Sequence, residues 1–311
     1  IVENELLVTL NFFIFMRILL TGKDGQIGSE LLKGLSQFGE VTATGRNEMD
    51  LAEPSQIQRI VRQVKPELII NSGAYTAVDK AESEPDLAKS VNGIAPEILA
   101  QEAKSEHSLL IHYSTDYTYS GEMQQRPYFE SDFPAPNSTY GKTKLEGDQA
   151  IERSGASHLI FRTGWVYSST GKNFLRTIMK LAKEKNELRI VNDQTGTPTW
   201  CRSIAIATGE IIKSLIDKKE DSLSKTASSI SGIYHMTCQG ETSWHGFAQA
   251  ILELSCPESI PKLLAISTEE YPTPATRPTY SVLSNTKLQK TFGVELPHWE
   301  DAIKQCLKNI S

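Results

Sequence analysis

The sequence predicts an α/β fold: a parallel sheet, doubly wound, with helices on both faces. Two observations carry this reading. Short apolar runs alternate with stretches of helical spacing through the first half of the chain, and glycines crowd the first strand-to-helix junction. Arg17 to Thr21 is an apolar strand ending at Gly22, and the following stretch, Gln26 to Phe38, sets Ile27, Leu31, Leu32, Leu35 and Phe38 at helical spacing. The alternation then predicts a strand at Val41 to Thr44, a helix at Pro54 to Val64, a strand at Leu68 to Asn71 and a helix at Pro85 to Lys104. A strand at Leu109 to Ser114, a helix at Thr139 to Arg153 and a strand at His158 to Arg162 follow. Units of this length place successive strands in parallel, and ligands of such sheets sit beyond the strands' carboxyl ends, where Gly22, Asn71, Ser114 and Arg162 fall.

Beyond Trp165 the pattern loosens. A helix at Asn173 to Lys185, a strand at Leu188 to Val191, a linker-like Lys218 to Ser229, a strand at Gly232 to Met236 and a proline-rich Tyr271 to Pro278 are expected there. Residues 16–165 therefore read as a dinucleotide-binding domain. Residues 166–311 read as a smaller, irregular α/β part that mainly binds substrate and returns one or two strands to the main sheet. Residues 1–15 lack a basic segment and a cleavage site and run straight into a core strand, so they read as a non-native or misassigned extension before Met16.

Composition narrows the class. A chain of 311 residues with 39% hydrophobic and 23% charged residues can bury a full core. A formal charge of -6 argues against nucleic acid as a partner, because that binding draws on clustered Lys and Arg. The apolar start is too short and too interrupted by Asn and Glu to span a bilayer. Cys201, Cys238, Cys256 and Cys306 show no metal-ligand spacing and read as free thiols of a reducing, cytoplasmic setting.

The chemistry is concentrated in three places. Gly22-Lys-Asp-Gly25-Gln-Ile-Gly28 stands between the first strand and helix, where bare backbone N–H groups and the helix dipole favour a pyrophosphate. The second strand ends at Gly45-Arg46 rather than at an acidic residue, and Arg46 suits a 2'-phosphate, so NADPH is expected ahead of NADH. Asp50 and Leu51 fit the adenine side. Tyr140 and Lys144 lie one turn apart on the expected helix Thr139 to Arg153, and a nearby ammonium lowers the pKa of a tyrosine from its free value of about 10. Thr115, at a strand end, can bond a carbonyl oxygen together with Tyr140, and Asp116 can accept a sugar hydroxyl. Tyr-x-x-x-Lys alone marks an ordinary surface helix more often than a site; its company here reverses that reading.

From Met16 onward the chain resembles the dTDP-4-dehydrorhamnose reductase family of the extended short-chain dehydrogenase/reductase superfamily, a Rossmann-type fold. The resemblance rests on the glycine turn, Ala74-Tyr-Thr-Ala-Val-Asp-Lys-Ala-Glu82, His112-Tyr-Ser-Thr-Asp-Tyr117, Tyr140-Gly-Lys-Thr-Lys-Leu-Glu146 and Arg162-Thr-Gly-Trp-Val-Tyr167. Asn192-Asp-Gln-Thr-Gly-Thr-Pro-Thr199 and Tyr271-Pro-Thr-Pro-Ala-Thr-Arg-Pro278 are its more specific parts. It implies an NADPH-dependent reduction of a dTDP-keto-sugar at C4, with Thr115, Tyr140 and Lys144 as the catalytic trio. Gly25, Gln26, Ile27, Asp50, Leu51 and the turn Gly73, Ala74, Tyr75 would line the cofactor. Val78, Thr115, Asp116 and Trp165 would contact the sugar, and Asn173 and Arg277 the nucleotide diphosphate. A related nucleotide-sugar 4-ketoreductase, or a non-catalytic NADP-binding regulatory subunit of methionine adenosyltransferase, shares the fold and stands as the alternative.

One departure concerns metal and assembly. Members of the family are thought to dimerise through Mg2+ held by acidic side chains, one of them just after the Gly-x-Pro-Thr motif. This chain has Trp200-Cys-Arg202 there, which leaves Glu30 as the candidate ligand and leaves Mg2+, and the choice between monomer and homodimer, open.

Overall fold

The computed structural model describes residues 16–121, 126–218, 221–255 and 261–310; the segment before Met16 and Cys256 lie outside them. The first half is β1 (Met16–Thr21), α1 (Gln26–Leu35), β2 (Gly39–Thr44), α2 (Pro54–Val64), β3 (Leu68–Asn71), α3 (Val78–Ala81), α4 (Pro85–Lys89), α5 (Ala95–Ser105) and β4 (Leu109–Thr115). Then come α6 (Thr139–Ser154), β5 (His158–Thr163), β6 (Val166–Tyr167), α7 (Phe174–Glu184), β7 (Glu187–Val191), β8 (Thr195–Gly196) and β9 (Thr199–Trp200). The chain closes with α8 (Cys201–Asp217), α9 (Leu223–Ser228), β10 (Gly232–His235), β11 (Thr242–Ser243), α10 (Trp244–Ser255), β12 (Lys262–Ile266), α11 (Thr286–Phe292) and α12 (Trp299–Leu307).

The main sheet has six parallel strands in the order β2-β1-β3-β4-β5-β10. Both of its faces are buried, and strand alternation decides which side chain serves which face. Ile18, Leu20, Leu68, Ile70, Ile111 and Phe161 join one core with Leu31 of α1 and Ile204 and Ile211 of α8. Leu19, Ile69, Leu110 and Ile160 join the other with Ile57 of α2, Leu99 of α5 and Ile151 of α6. The chain moves outward from β1 to β2 and then crosses back to β3, so a crevice opens at the carboxyl ends of β1 and β3. Parallel register sets Thr21 beside Asn71, Asn71 beside His112 and Thr115 beside Thr163.

The expected helix from Pro85 to Lys104 is interrupted by a π-helical turn, Ser90–Ile94. Pro96 has no N–H to give the carbonyl of Asn92, so the ladder re-registers there. The turn also frees Asn92 to hold the loop after β3: its amide accepts from the Tyr75 N–H at 2.9 Å and donates to the Tyr75 carbonyl at 3.0 Å. Gly147 of α6 packs so closely that a Cβ on it would lie 2.2 Å from the Asn92 carbonyl oxygen.

The second half is more helical than its sequence suggested. The expected linker at Lys218 to Ser229 contains α9, whose start is capped by Ser222, accepting from the Lys225 N–H at 3.2 Å. Leu223 and Ala227, four residues apart, are its buried anchors. β10 is the one strand of this half in the main sheet, paired with β5, while β7 and β12 pair apart from it. Among the described residues no helix is long and apolar enough to cross a membrane.

Under α6 lies a buried ion pair: Arg162 Nε donates to Asp148 Oδ2 at 3.0 Å, with side chains 2% and 0% exposed. Arg162 also donates to the Tyr119 hydroxyl at 2.9 Å. Replacing Arg162 by Met strands a carboxylate in the core and is expected to cost ~3–5 kcal/mol, read as a fall in the urea midpoint. The double change Arg162→Met with Asp148→Leu is expected to recover most of that loss, because no charge is then left unpaired.

Candidate active site

A cavity of about 730 Å³ opens where β1, β3, β4 and β5 end. Its floor at one end is the glycine turn. Gly22 takes φ +72°, and a Cβ on Gly28 would lie 2.1 Å from the Gly22 carbonyl oxygen, so the turn can close only around bare glycine. Gly25 is the N-cap of α1 and brings no capping side chain, which leaves the helix's first N–H groups turned to the cavity that Gly22, Gly25, Gln26 and Ile27 line. These features fit a dinucleotide's pyrophosphate. Gly28 stands behind the turn and not on the wall.

Arg46, Asp50, Leu51, Gly73 and Ala74 continue the same wall, with Arg46 exposed at the rim. One Asp50 oxygen accepts from the Ala52 N–H at 2.9 Å. Gly73 approaches Leu51 so closely that a Cβ would meet its Cδ1 at 2.6 Å. Tyr75, expected on the cofactor wall, is not among the lining residues: its ring joins the core and its hydroxyl donates to Glu84 at 2.7 Å.

At the other end stand Tyr140, Lys144, Thr115, Asp116, Val78 and Trp165. Ser138 caps α6 by accepting from the Gly141 N–H at 3.2 Å, which fixes Tyr140 in the first turn and Lys144 one turn on. The Tyr140 ring meets Tyr117 edge to face at 5.7 Å. Thr115 donates to Asp116 Oδ1 at 3.1 Å and accepts from the Tyr117 N–H at 3.2 Å.

The electrostatics correct one expectation. Tyr140 is pushed up to about 12, because burial outweighs the lowering influence of Thr115 and Asp116 and Asp148 add to the rise. Lys144 does not offset this: its ammonium turns to β4, donating to the Tyr113 carbonyl at 2.7 Å and meeting His112 Nε2 at 3.1 Å. Burial pulls Lys144 itself down to about 8 against the pull of Asp148. Asp116 is raised by burial to about 6, and its Oδ2 has no hydrogen-bond partner.

Trp165 holds a left-handed backbone, φ +48°, unusual for so large a residue. Its indole stacks on that of Trp244 at 3.5 Å and 4°, and a Cβ on Gly196 would come within 2.4 Å of it. One face of the ring is therefore covered by Trp244, a cavity residue the sequence did not single out. Nothing in Ser243-Trp244 announces a partner 79 residues upstream (244 − 165).

Asn173 lines the cavity, but its side chain is already used as the cap of α7: it accepts from the Arg176 N–H at 3.1 Å and donates to Gln26, Ser168 and Thr170. Arg277 is not a lining residue. Its guanidinium grips Asp79 with two bonds of 3.0 and 2.9 Å, joining α3 to the proline-rich stretch.

The residues do not fit Mg2+ at Glu30. Its carboxylate is held by Arg202 Nε at 2.9 Å and Lys33 Nζ at 2.6 Å, and the two cations keep it below the usual carboxylate range. Among the described residues no cluster of three or more His, Cys, Asp or Glu forms a metal site.

Comparison with known proteins places this geometry. Residues 16–311 match the family described as RmlD substrate binding domain. The dTDP-4-dehydrorhamnose reductase of Burkholderia thailandensis is 44% identical over 95% of this chain and 99% of its own. The structure of a dTDP-4-dehydrorhamnose reductase from Clostridium acetobutylicum superposes with a TM-score of 0.85 at 37% identity, covering 94% of this chain and 99% of that one. The reductase of Bacillus anthracis, solved in complex with NADP, gives 0.84 at 31% identity, covering 95% and 99%. The match thus runs along nearly the whole length of named reductases, and the chain belongs to the dTDP-4-dehydrorhamnose reductase family.

Proposed function

We propose that the protein is an NADPH-preferring reductase that converts dTDP-4-dehydro-beta-L-rhamnose to dTDP-beta-L-rhamnose. The observation that carries this is one continuous cavity with a phosphate-binding glycine turn at one end and Thr115, Tyr140 and Lys144 at the other. Residues 16–165 hold the cofactor, and residues 166–311 complete the sugar-side wall with Val166, Phe174 and Trp244. The reactants are a sugar nucleotide and a dinucleotide, with no role for nucleic acid.

Bound with its pyrophosphate on the α1 N-terminus, NADPH supplies the hydride for the keto carbon. The chain's part is to orient and to move a proton. Thr115 donates to the carbonyl oxygen, and Tyr140 passes its phenolic proton to the alkoxide that develops there. A hydroxyl raised to about 12 stays protonated at neutral pH, so the acid is always loaded. Lys144, on the same cavity wall, holds the nicotinamide ribose. Asp116 accepts a sugar hydroxyl, Val78 and the Trp165 indole bound the deoxyhexose, and Arg46 takes the 2'-phosphate of NADPH.

Three outcomes test this. With the keto sugar generated in place from dTDP-glucose, NADPH oxidation should yield dTDP-rhamnose by chromatography, and Tyr140→Phe should lower kcat by about 10²–10⁴-fold while NADPH still binds. Binding of NADPH without consumption of this substrate sinks the assignment in favour of another hexose or a regulatory role. Arg46→Ala should raise KM for NADPH by about tenfold and leave that for NADH in place, the loss of one charge-assisted contact. Because Lys144 loses its charge as pH rises through about 8, kcat/KM should fall on the alkaline side from there.

A further inference from the structure

We infer that His112, backed by Asn71 and Thr21, is the positioning residue of Lys144, and that the string formed by these side chains gives Lys144 a partner in both its charged and its neutral state. The string crosses three strands in register: Thr21 Oγ1 to Asn71 Oδ1 at 2.6 Å, Asn71 Nδ2 to His112 Nδ1 at 2.9 Å, and His112 Nε2 to Lys144 Nζ at 3.1 Å. Its members are sealed from solvent, with Thr21 and Lys144 each 1% exposed and Asn71 and His112 at 0%. Its far end touches the cofactor turn, where the Gly73 N–H donates to Thr21 Oγ1 at 3.3 Å.

The direction of the bonds follows from donor counting. A lysine ammonium has no lone pair, so beside it His112 Nε2 must accept and the imidazole proton sits on Nδ1. That proton needs the Asn71 carbonyl oxygen, and the Asn71 NH2 then faces Thr21 Oγ1. When Lys144 is a neutral amine every bond reverses. The Thr21 hydroxyl donates to Asn71, Asn71 donates to Nδ1, and Nε2–H donates to the amine. Only an amide flip and a tautomer change separate the two arrangements.

Other charges around Lys144 cannot replace His112. Asp148 of the same helix is committed to Arg162 of β5; its Oδ1 lies 4.0 Å from His112 Nε2 and has no hydrogen-bond partner. Tyr140 shares the helix and is influenced by Asp116, and Tyr113 offers only its carbonyl. His158 lies close enough to influence His112. Burial and the Lys144 charge hold His112 well below the ordinary imidazole range, so it remains neutral. The consequence for turnover rests on the reductase reading above; the hydrogen-bond string does not.

His112→Phe, His112→Gln and Asn71→Leu test the string. Lys144 is followed by NMR in protein carrying 13C at lysine Cε, its resonance assigned by loss in Lys144→Met, beside the alkaline limb of kcat/KM. His112→Phe removes the acceptor of the charged form, a charge-assisted bond stronger than the one it gives the neutral amine, and should therefore lower both the titration midpoint and the limb by about one pH unit, a tenfold loss of proton affinity. His112→Gln should restore most of it, and Asn71→Leu should move both in the same direction by less. A purely structural role would lower melting temperature or kcat and leave midpoint and limb where wild type has them, and that result overturns the proposal. If His112→Phe does not fold, an unmoved midpoint in Asn71→Leu does the same. If wild type reduces no keto sugar the functional reading fails, and the NMR midpoint alone decides the string.

Discussion

The site depends on one buried carboxylate. Asp148 sits on the buried face of α6 with no solvent access, and a charge there is tolerable only if the surroundings compensate it. Arg162 supplies most of that compensation from β5, and the remaining field raises the proton affinity of Lys144 against a burial penalty. Three ionisable groups from one helix and one strand are thereby fixed in mutual position. The Tyr140 ring, one turn earlier on α6, takes its place from the same helix, so the acid and the cation share one rigid mount.

That arrangement divides the work between the two ends of the cavity. At the glycine turn, binding comes from backbone geometry that a single methyl group would abolish. At the α6 end it comes from side chains whose proton affinities are set by how little water reaches them. Burial moves Tyr140 and Lys144 in opposite directions, toward the neutral form of each, because it disfavours whichever form carries charge.

The parallel sheet was legible because strand and helix periods alternate cleanly to Arg162, and β3 and α2 fall at the bounds their patterns imply. That the glycine turn, Thr115, Tyr140 and Lys144 face one cavity was legible because each stands at a fixed local spacing beside a strand end or on one helix. What escaped is what depends on distant contacts. The Trp165–Trp244 stack, the use of Asn173 as a helix cap and the capture of Arg277 by Asp79 pair residues that no local pattern joins. α8 escaped even though Ile204, Ala207, Ile211 and Leu215 carry a helical period, since the reading beyond Trp165 followed loop signals instead. The effect of burial on Tyr140 escaped as well, since spacing shows that a lysine is near but not where its ammonium points.

The Asp79–Arg277 clasp bears on how the enzyme is made. Its partners are 198 residues apart, so α3 waits for nearly the whole chain to leave the ribosome before this contact can form. Contacts of such separation form late and demand the most loop closure. The sheet strands β1 to β5 can pair earlier, yet β10 joins β5 only after the intervening helices are synthesised. A nascent chain can therefore hold five of the six strands of its main sheet before β10 and the Asp79–Arg277 contact are in place.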